Sequence, residues 1–251
     1  MNAEVDRWRT FFEGLFVEGW LQAIPEAQTR AEAEFIEKTL RLPSNGRVLD
    51  APCGGGRHSL ALAARGYRVS AIDISPQFLQ AALASANEKQ LAIDWHQGDM
   101  QELPWRREFD GAFCFGNSFG YFDDAGNAAY LRAVAAGLKD GGRFLLDYPA
   151  AAEPLIFTFQ ERSWYEFGDL LYLRAGRYDH VSGRIYVEHT FLRGSQREKK
   201  SVTQRVYTYR EVVRLLEQAG FGDVEAYAST AGEPFHFRAK GLLLAATKRG
   251  S

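Results

Sequence analysis

The residues of this chain best suited to chemistry are a glycine-rich turn and an acid that follows it. Residues 48–56 are Val-Leu-Asp-Ala-Pro-Cys-Gly-Gly-Gly, an apolar run that breaks into glycines, and residues 69–73 are Val-Ser-Ala-Ile-Asp. An α/β sheet binds an adenosine-containing cofactor with this order of strand, glycine turn, helix, second strand and acid. The details of the turn indicate which cofactor.

The spacing of the turn fits a dinucleotide poorly. A dinucleotide site needs G-x-G-x-x-G, and Gly54 and Gly56 are followed by Ser59 at the third position. The pattern D-x-x-x-G-x-G is complete from Asp50 to Gly56 and suits S-adenosylmethionine, whose methionine end and sulfonium approach a loop without side chains. Asp50 is predicted to meet the cofactor's ammonium, directly or through water, and Asp73 to accept from both ribose hydroxyls.

A third acid follows the third predicted strand. Residues 97–100 are Gln-Gly-Asp-Met, so Asp99 can accept from the adenine amine and Met100 can pack on the ring. Each acid could instead cap the helix or turn that follows it. Caps do not require an ordered series of acids at three successive strand ends, so the series favours the cofactor.

These motifs, over residues 47–148, resemble class I S-adenosylmethionine-dependent methyltransferases. The resemblance implies a Rossmann-like, mostly parallel seven-stranded sheet with helices on both faces, an antiparallel last strand, and S-adenosylhomocysteine as product. Pro52 departs from the glycine common in relatives and makes the turn stiffer. Arg30 is predicted to pair with the methionine carboxylate. The candidate cofactor contacts are Asp50, Gly54, Gly56, Asp73, Ile74, Asp99, Met100, Phe115, Ser118 and Arg30.

The segment 113–122 follows the fourth predicted strand, and the resemblance places it beside the sulfonium. Asn117 and Tyr121 are predicted to position the acceptor, while Ser118 contacts acceptor or cofactor. The segment 116–119 is similar to a loop of glycine N-methyltransferases. Those enzymes place an Arg after the next strand, where this chain has Tyr148 and a proline, so glycine itself is not predicted as the acceptor.

No general base can be assigned from the sequence. A neutral amine needs no strong base, whereas a hydroxyl nucleophile does. None of the candidate bases has a carboxylate partner visible in the sequence, and nitrogen is therefore predicted as the target in preference to oxygen. These candidates are His58, His96, His189, His236 and Tyr121.

Hydrophobic periodicity predicts alternating strands and helices, then an antiparallel insertion. The predicted regions are an N-terminal helical lid (1–42), a cofactor-binding core (43–150), an antiparallel β insertion (160–208) and a last helix with a strand pair (209–251). The predicted helices cover a tract with Trp8, Phe11 and Phe16, then 29–42, 57–65, 76–89, 127–138 and 210–219. The predicted strands cover 47–51, 68–73, 92–97, 111–115, 142–148, 170–178, 184–192, 200–207, 224–227 and 241–248.

Composition narrows the class of protein. The 251 residues carry a net charge of −2, which provides no broad positive field for nucleic acid. Cys53 and Cys114 suggest no disulfide framework, no run reaches the ~18 apolar residues of a membrane span, and no signal peptide is evident. We predict a cytoplasmic monomer or homodimer that acts on a small molecule. No metal is predicted, since Asp147 is a lone candidate ligand.

The leading hypothesis is a small-molecule methyltransferase that transfers the methyl group by in-line displacement. One alternative within this class is a peptide or protein N-methyltransferase. Two alternatives from other classes are an NAD(P)-dependent oxidoreductase that uses the glycine turn and a cofactor-binding protein without catalysis.

Overall fold

The computed structural model describes residues 10–250, which form seven helices and eleven strands. The helices are α1 (Leu15–Ala23), α2 (Glu26–Leu40), α3 (Arg57–Ala64), α4 (Pro76–Glu88), α5 (Asp124–Gly137), α6 (Ala152–Thr158) and α7 (Tyr209–Gln218). The strands are β1 (Arg47–Asp50), β2 (Arg68–Asp73), β3 (Asp94–Gln97), β4 (Phe109–Cys114), β5 (Leu138–Asp147), β6 (Arg162–Phe167), β7 (Leu170–Asp179), β8 (Arg184–Arg193), β9 (Gln196–Arg205), β10 (Phe221–Tyr227) and β11 (Leu243–Lys248).

A seven-stranded sheet forms the centre of the protein, in the order β10-β11-β5-β4-β1-β2-β3. Strands β1 to β5 are parallel to one another, and β11 runs antiparallel to β5 and to β10. The predicted mostly parallel sheet with an antiparallel last strand is confirmed. Because parallel strands end at one edge, the acids that follow them meet there.

The sheet is buried on both faces, which explains why its strands are continuous apolar runs. Val48 and Leu49 are adjacent in β1 and fully buried, yet they belong to two different core clusters. Val48 shares its cluster with Ile36 of α2, and Leu49 shares the other with Leu131 of α5. Helices therefore cover both faces, as the alternation of elements predicted.

A second sheet of four antiparallel strands, in the order β6-β7-β8-β9, follows α6. Three hairpin turns contain Gly168, Gly183 and Gly194, each at positive φ. The predicted antiparallel insertion is confirmed, with one strand more than the periodicity indicated. The first strand, β6, was missed because its residues are mostly exposed and lack a clear alternation.

Two helical predictions need correction. The tract from Trp8 was predicted as one helix, but α1 begins only at Leu15, and Phe11 and Phe12 lie in a turn before it; Trp8 lies outside the described residues. The seven-residue α6 was not predicted because Pro154 obscures it in sequence. A proline is compatible with the first turn, where no intrahelical N–H bond is lost.

The segment 10–23, which contains α1, lies between the two sheets. On one side the Ser75 hydroxyl donates to the Phe12 carbonyl (2.6 Å), and the Gln77 side chain accepts from the Gly14 N–H (2.7 Å). On the other side the Lys200 ammonium of β9 donates to three backbone carbonyls of the segment, at 2.9–3.2 Å: those of Thr10, Phe11 and Glu13. The beginning of α4 and strand β9 therefore hold this segment from two sides.

Across residues 10–250, no helix combines the length and the apolar character needed to cross a bilayer.

We expect Lys200→Met to weaken the docking of segment 10–23. The substitution removes charge-assisted hydrogen bonds to three carbonyls, and such bonds contribute about 1.5–3 kcal/mol. Amide hydrogen exchange in residues 10–23 should accelerate while the seven-stranded sheet keeps its protection. Lys199→Met is the matched control, because Lys199 pairs with Glu188 on the other face of the sheet (2.7 Å). Equal amide exchange rates of residues 10–23 in the two variants would contradict the role assigned to Lys200.

Candidate active site

The glycine turn after β1 is tied to the acid at the end of β2. One Asp73 carboxylate oxygen accepts from the Gly54 N–H (2.7 Å), and the other accepts from the Ser75 N–H (2.8 Å). Asp73 is 6% exposed, and burial raises its pKa to about 6. A carboxylate offers about four acceptor positions, so Asp73 keeps acceptor capacity beyond these two bonds, and its contact with a ribose stays a prediction.

The glycines of the turn serve different purposes. Gly54 has φ +52°, and a Cβ added there would meet nothing within 4 Å; Gly116, on the loop after β4, is equally open. Gly56 differs, since a Cβ there would come within 2.4 Å of the Trp95 ring. Packing against β3 therefore explains why residue 56 is a glycine. Gly54 and Gly116 instead leave room for a ligand to approach the backbone closely.

Asp50 is almost completely buried at the end of β1. It accepts from the Ser59 hydroxyl at 2.6 Å. Burial raises the pKa of Asp50 to about 8, and the charge of Asp73 adds to this effect. Ser59, noted in the sequence only as the missing third glycine, thus supports the acid.

Three charged or polar side chains lie beside the turn, and the sequence had singled out only His58, as a candidate base. The Glu32 carboxylate of α2 contacts the Arg57 guanidinium (2.5 Å) and His58 Nε2 (2.8 Å), both from α3. Burial acts to raise the pKa of Glu32, but hydrogen bonds, foremost from His58, and the Arg57 charge lower it to about 2. Arg57 carried a signal that was missed: a cation in a helix's first turn opposes the helix dipole and needs a partner.

A fourth strand-end acid, Asp147 of β5, completes this edge of the sheet. Its carboxylate accepts from the Gly116 N–H at 3.0 Å. Burial raises the pKa of Asp147 to about 6, and the Glu32 charge contributes. Asp147 therefore holds the loop after β4, a role that the sequence did not indicate.

The candidate contacts to adenine and ribose lie beyond β2 and β3. Asp99 stands two residues after β3 and accepts from the Gln101 N–H (3.0 Å), while Met100 is buried in the core. Ile74 is partly buried directly after Asp73. The structure thus places these three side chains at the strand-end edge, and their contacts with a cofactor stay predictions.

Arg30 is not brought to the buried acids. Its guanidinium is 67% exposed and pairs with Glu26 one helical turn earlier (3.6 Å). Its predicted contact with the methionine carboxylate stays a prediction. The arginine that the structure places beside the glycine turn is Arg57.

The loop after β4 is held by the four-stranded sheet. The Gln204 amide of β9 donates to the Asn117 side-chain oxygen (3.0 Å) and to the Phe119 carbonyl (2.6 Å). The Ser118 hydroxyl donates to the Phe115 carbonyl at 3.3 Å, and Phe115 packs against the His58 ring. Asn117 and Ser118 thus have partners within the protein, which the sequence did not reveal.

Tyr121 and the segment before α1 form an aromatic contact over this loop. The Tyr121 and Phe12 rings meet edge to face, with centroids 5.6 Å apart. Leu21 of α1 lies over the glycine turn, since a Cβ on Gly55 would come within 2.4 Å of it. These contacts place the N-terminal segment above the strand-end edge.

The expectation that the histidines lack carboxylate partners is wrong for three of them. His58 meets Glu32, His96 meets Asp94 (2.8 Å), and His236 meets Glu233 (3.0 Å). Glu32 lies 26 residues from His58 and meets it only through the fold, whereas Asp94 and Glu233 are close to their histidines in sequence. His189 differs, because its Nδ1 bonds the Tyr172 hydroxyl (2.8 Å).

The donor set at this edge fits S-adenosylmethionine. Buried acids with raised pKa values gain most from a positively charged ligand, and this cofactor carries an ammonium and a sulfonium. Within residues 10–250, no group of three or more His, Cys, Asp or Glu side chains is arranged to hold a metal ion.

Comparisons with known proteins agree with this geometry. A family model described as a methyltransferase domain matches residues 48–142. The chain is 29% identical over 224 residues to a glycine/sarcosine N-methyltransferase of Aphanothece halophytica, covering 86% of this chain and 82% of that protein. It is 31% identical over 147 residues, 58% of each chain, to a ubiquinone biosynthesis O-methyltransferase of Xylella fastidiosa. The chain also matches a second glycine/sarcosine N-methyltransferase over 53% of that protein's length and a glycine/sarcosine/dimethylglycine N-methyltransferase over 40% of its length.

The fold also matches a solved structure, that of an amino pentose methyltransferase from Micromonospora echinaspora with S-adenosylmethionine bound. The TM-score is 0.69 at 20% identity, covering 94% of this chain and 97% of that one. Sheet order, strand-end acids and glycine turn define a Rossmann-like methyltransferase. Residues 48–142 match a methyltransferase domain, and the chain is similar in sequence and fold to class I S-adenosylmethionine-dependent methyltransferases. The nicotinamide alternative has no support among these matches.

We expect Asp73→Ala to weaken binding of S-adenosylhomocysteine by about 1–3 kcal/mol, because hydrogen bonds to a buried charged acceptor are lost. Isothermal titration calorimetry measures the change. Asp94→Ala serves as control, since Asp94 begins β3 at the opposite edge. An unchanged dissociation constant for Asp73→Ala would place the ribose elsewhere.

Cofactor affinity should rise with pH. A ligand ammonium beside Asp50 and ribose donors on Asp73 both favour the ionised carboxyls, so binding releases protons that the free protein holds. Affinity for S-adenosylhomocysteine should therefore increase with pH, with the Asp73 contribution complete near pH 6 and the Asp50 contribution near pH 8, and then level off. Calorimetry in two buffers of different ionisation enthalpy counts the protons. Asp50→Asn should remove the upper part of the rise, and an affinity that falls with pH would contradict this account.

Proposed function

We propose that this methyltransferase methylates a small-molecule amine. S-adenosylmethionine supplies a methyl group that its sulfonium has already activated. Relatives named as glycine/sarcosine N-methyltransferases and the amino pentose methyltransferase support this acceptor class. The O-methyltransferase relatives make a hydroxyl acceptor the competing possibility.

The residues of the strand-end edge bind the cofactor in this proposal. Asp50 holds the ammonium, Asp73 the ribose hydroxyls, and Asp99 and Met100 the adenine. The open Gly54 lets the backbone approach the methionine end. These assignments rest on the burial of the two acids and on the acceptor positions that they leave free.

The loop after β4 and the N-terminal segment align the acceptor and exclude water. Displacement at a methyl carbon depends mainly on alignment of the reacting atoms in a dry site. Gln204 holds the loop through Asn117 and Phe119. Phe12 covers this loop from the N-terminal side, and Leu21 covers the glycine turn. Asn117 and Tyr121 are then placed to position the acceptor rather than to take its proton.

The hydrogen-bond partners of the candidate bases favour nitrogen over oxygen. His58 Nε2 bonds Glu32 and His189 Nδ1 bonds the Tyr172 hydroxyl, and this geometry carries the proposal. Burial lowers the pKa of His189 to about 3, so its imidazole is a weak base. Burial raises the pKa of Tyr121, so its hydroxyl keeps its proton. A neutral amine can be methylated without a strong base, whereas a hydroxyl acceptor needs one.

The remaining expectations stay predictions. They are a cytoplasmic location, a monomer or homodimer, and a reaction without metal or nucleic acid. A peptide or protein amine is the alternative acceptor, with the four-stranded sheet as its docking surface.

Methyl transfer from tritiated S-adenosylmethionine should label small amines in a library of amines, hydroxyl compounds and peptides. Labelling of hydroxyl compounds alone would overturn the nitrogen assignment, and labelling of peptides alone would favour the alternative. No labelling despite cofactor binding would favour a binding protein.

With the acceptor found, Asn117→Ala should lower kcat by about tenfold or more through misplacement of the acceptor, while the cofactor dissociation constant stays nearly unchanged. Because Asn117 has φ +62°, which strains alanine, Asn117→Gly tests the side chain without that strain. A larger effect on cofactor binding than on kcat would move Asn117 to the cofactor site.

A further inference from the structure

A row of polar side chains crosses the four-stranded sheet. Ser163 of β6 is paired with Arg174 of β7, Arg174 with His189 of β8, and His189 with Lys200 of β9. Directly opposed residues of antiparallel strands project to the same face. The Lys200 ammonium reaches the carbonyls of segment 10–13, so the whole row is on the face that meets this segment.

Lys200 is satisfied, but other members of the row are not. Within residues 10–250, the buried atoms Ser163 Oγ and His189 Nε2 have no hydrogen-bond partner, although His189 is only 9% exposed. The Arg174 guanidinium donates to the Gln160 carbonyl (2.8 Å) and has no carboxylate within 4.0 Å in this part of the chain. Buried polar atoms without partners are rare and call for an explanation.

One tautomer of His189 makes its unpartnered Nε2 a donor. Burial and the Arg174 charge lower the pKa of His189, which favours the neutral imidazole. The Tyr172 hydroxyl lies 2.8 Å from His189 Nδ1, and when it donates there the imidazole proton is on Nε2. Strand register then places a hydroxyl, an imidazole N–H and a guanidinium in one row on the same face of the sheet.

The row adjoins the loop that the proposed function places beside the acceptor. The Phe11 ring lies edge-on to His189, with centroids 4.9 Å apart. The Phe12 ring contacts both Phe11 (centroids 5.1 Å apart) and Tyr121 (5.6 Å). Ring contacts therefore lead from Tyr121 through Phe12 and Phe11 to His189.

We propose that Ser163, Arg174 and His189 bind a carboxylate of the acceptor, so that the acceptor is an amine that also carries an acid group. This inference rests on the proposed function and deepens it. The guanidinium of Arg174, with the neutral donors of Ser163 and His189 beside it, matches a carboxylate in charge and geometry. An uncharged acceptor would leave the half-buried Arg174 without a counter-ion.

Matched pairs of amines test the proposal. Each pair consists of an amino acid and the amine that lacks only its carboxylate: glycine with methylamine, sarcosine with dimethylamine, and alanine with ethylamine. Calorimetry on protein loaded with S-adenosylhomocysteine measures binding of each compound. We expect wild type to bind an acid member about tenfold or more tightly than its partner, the effect of a charge-assisted hydrogen bond.

Arg174→Met should abolish this preference, and Ser163→Ala should reduce it. Arg177→Met is the matched control, because Arg177 lies on the same strand but on the opposite face, stacked on Tyr186 (4.0 Å). Unchanged S-adenosylhomocysteine affinity in every variant shows that folding and the cofactor site are intact.

Three results would overturn the inference: equal binding of acid and amine by wild type, equal loss in Arg174→Met and Arg177→Met, or no binding of any acid. In each case, labelling of amines without a carboxylate in the methyl-transfer library would leave the proposed function standing. Failure of both assays would overturn both proposals.

Discussion

The burial of carboxylates at one edge of the parallel sheet is the constraint on which the rest of this protein depends. Asp50, Asp73 and Asp147 end three strands, and burial raises the pKa of each. A buried acid costs free energy unless it is hydrogen-bonded or neutralised. The backbone N–H groups of Gly54 and Gly116 meet this need and thereby fix both loops that face the site. A cationic ligand would neutralise the carboxylate charge that these hydrogen bonds leave.

The four-stranded sheet and the N-terminal segment form the second half of the site. Gln204 holds the loop after β4, and Lys200, on the same strand, holds the turn before α1. One strand thus organises the two elements that the reaction needs around the acceptor. Neither sheet alone encloses the site, because the core sheet offers only its strand-end edge.

Much of the fold could be predicted, because periodicity and glycine turns are local signals. The strands β1, β2 and β4, the helices after them and the hairpin at Gly183 follow from buried apolar runs and positive-φ positions. Exposed β6 and the short α6 gave no such signal. The partners of Asn117 and His58 were also out of reach, since Gln204 and Glu32 lie 87 and 26 residues away.

The sequence by itself determined the cofactor class. The glycine turn and the three successive acids are local patterns, and parallel strands bring their ends to one edge whatever else the chain does. Only the tertiary structure decided which side chains surround the acceptor. Arg174, His189 and Ser163 become neighbours through antiparallel register, and Glu32 reaches Arg57 and His58 through the packing of α2 on α3. Such contacts join distant segments, and no local pattern records them.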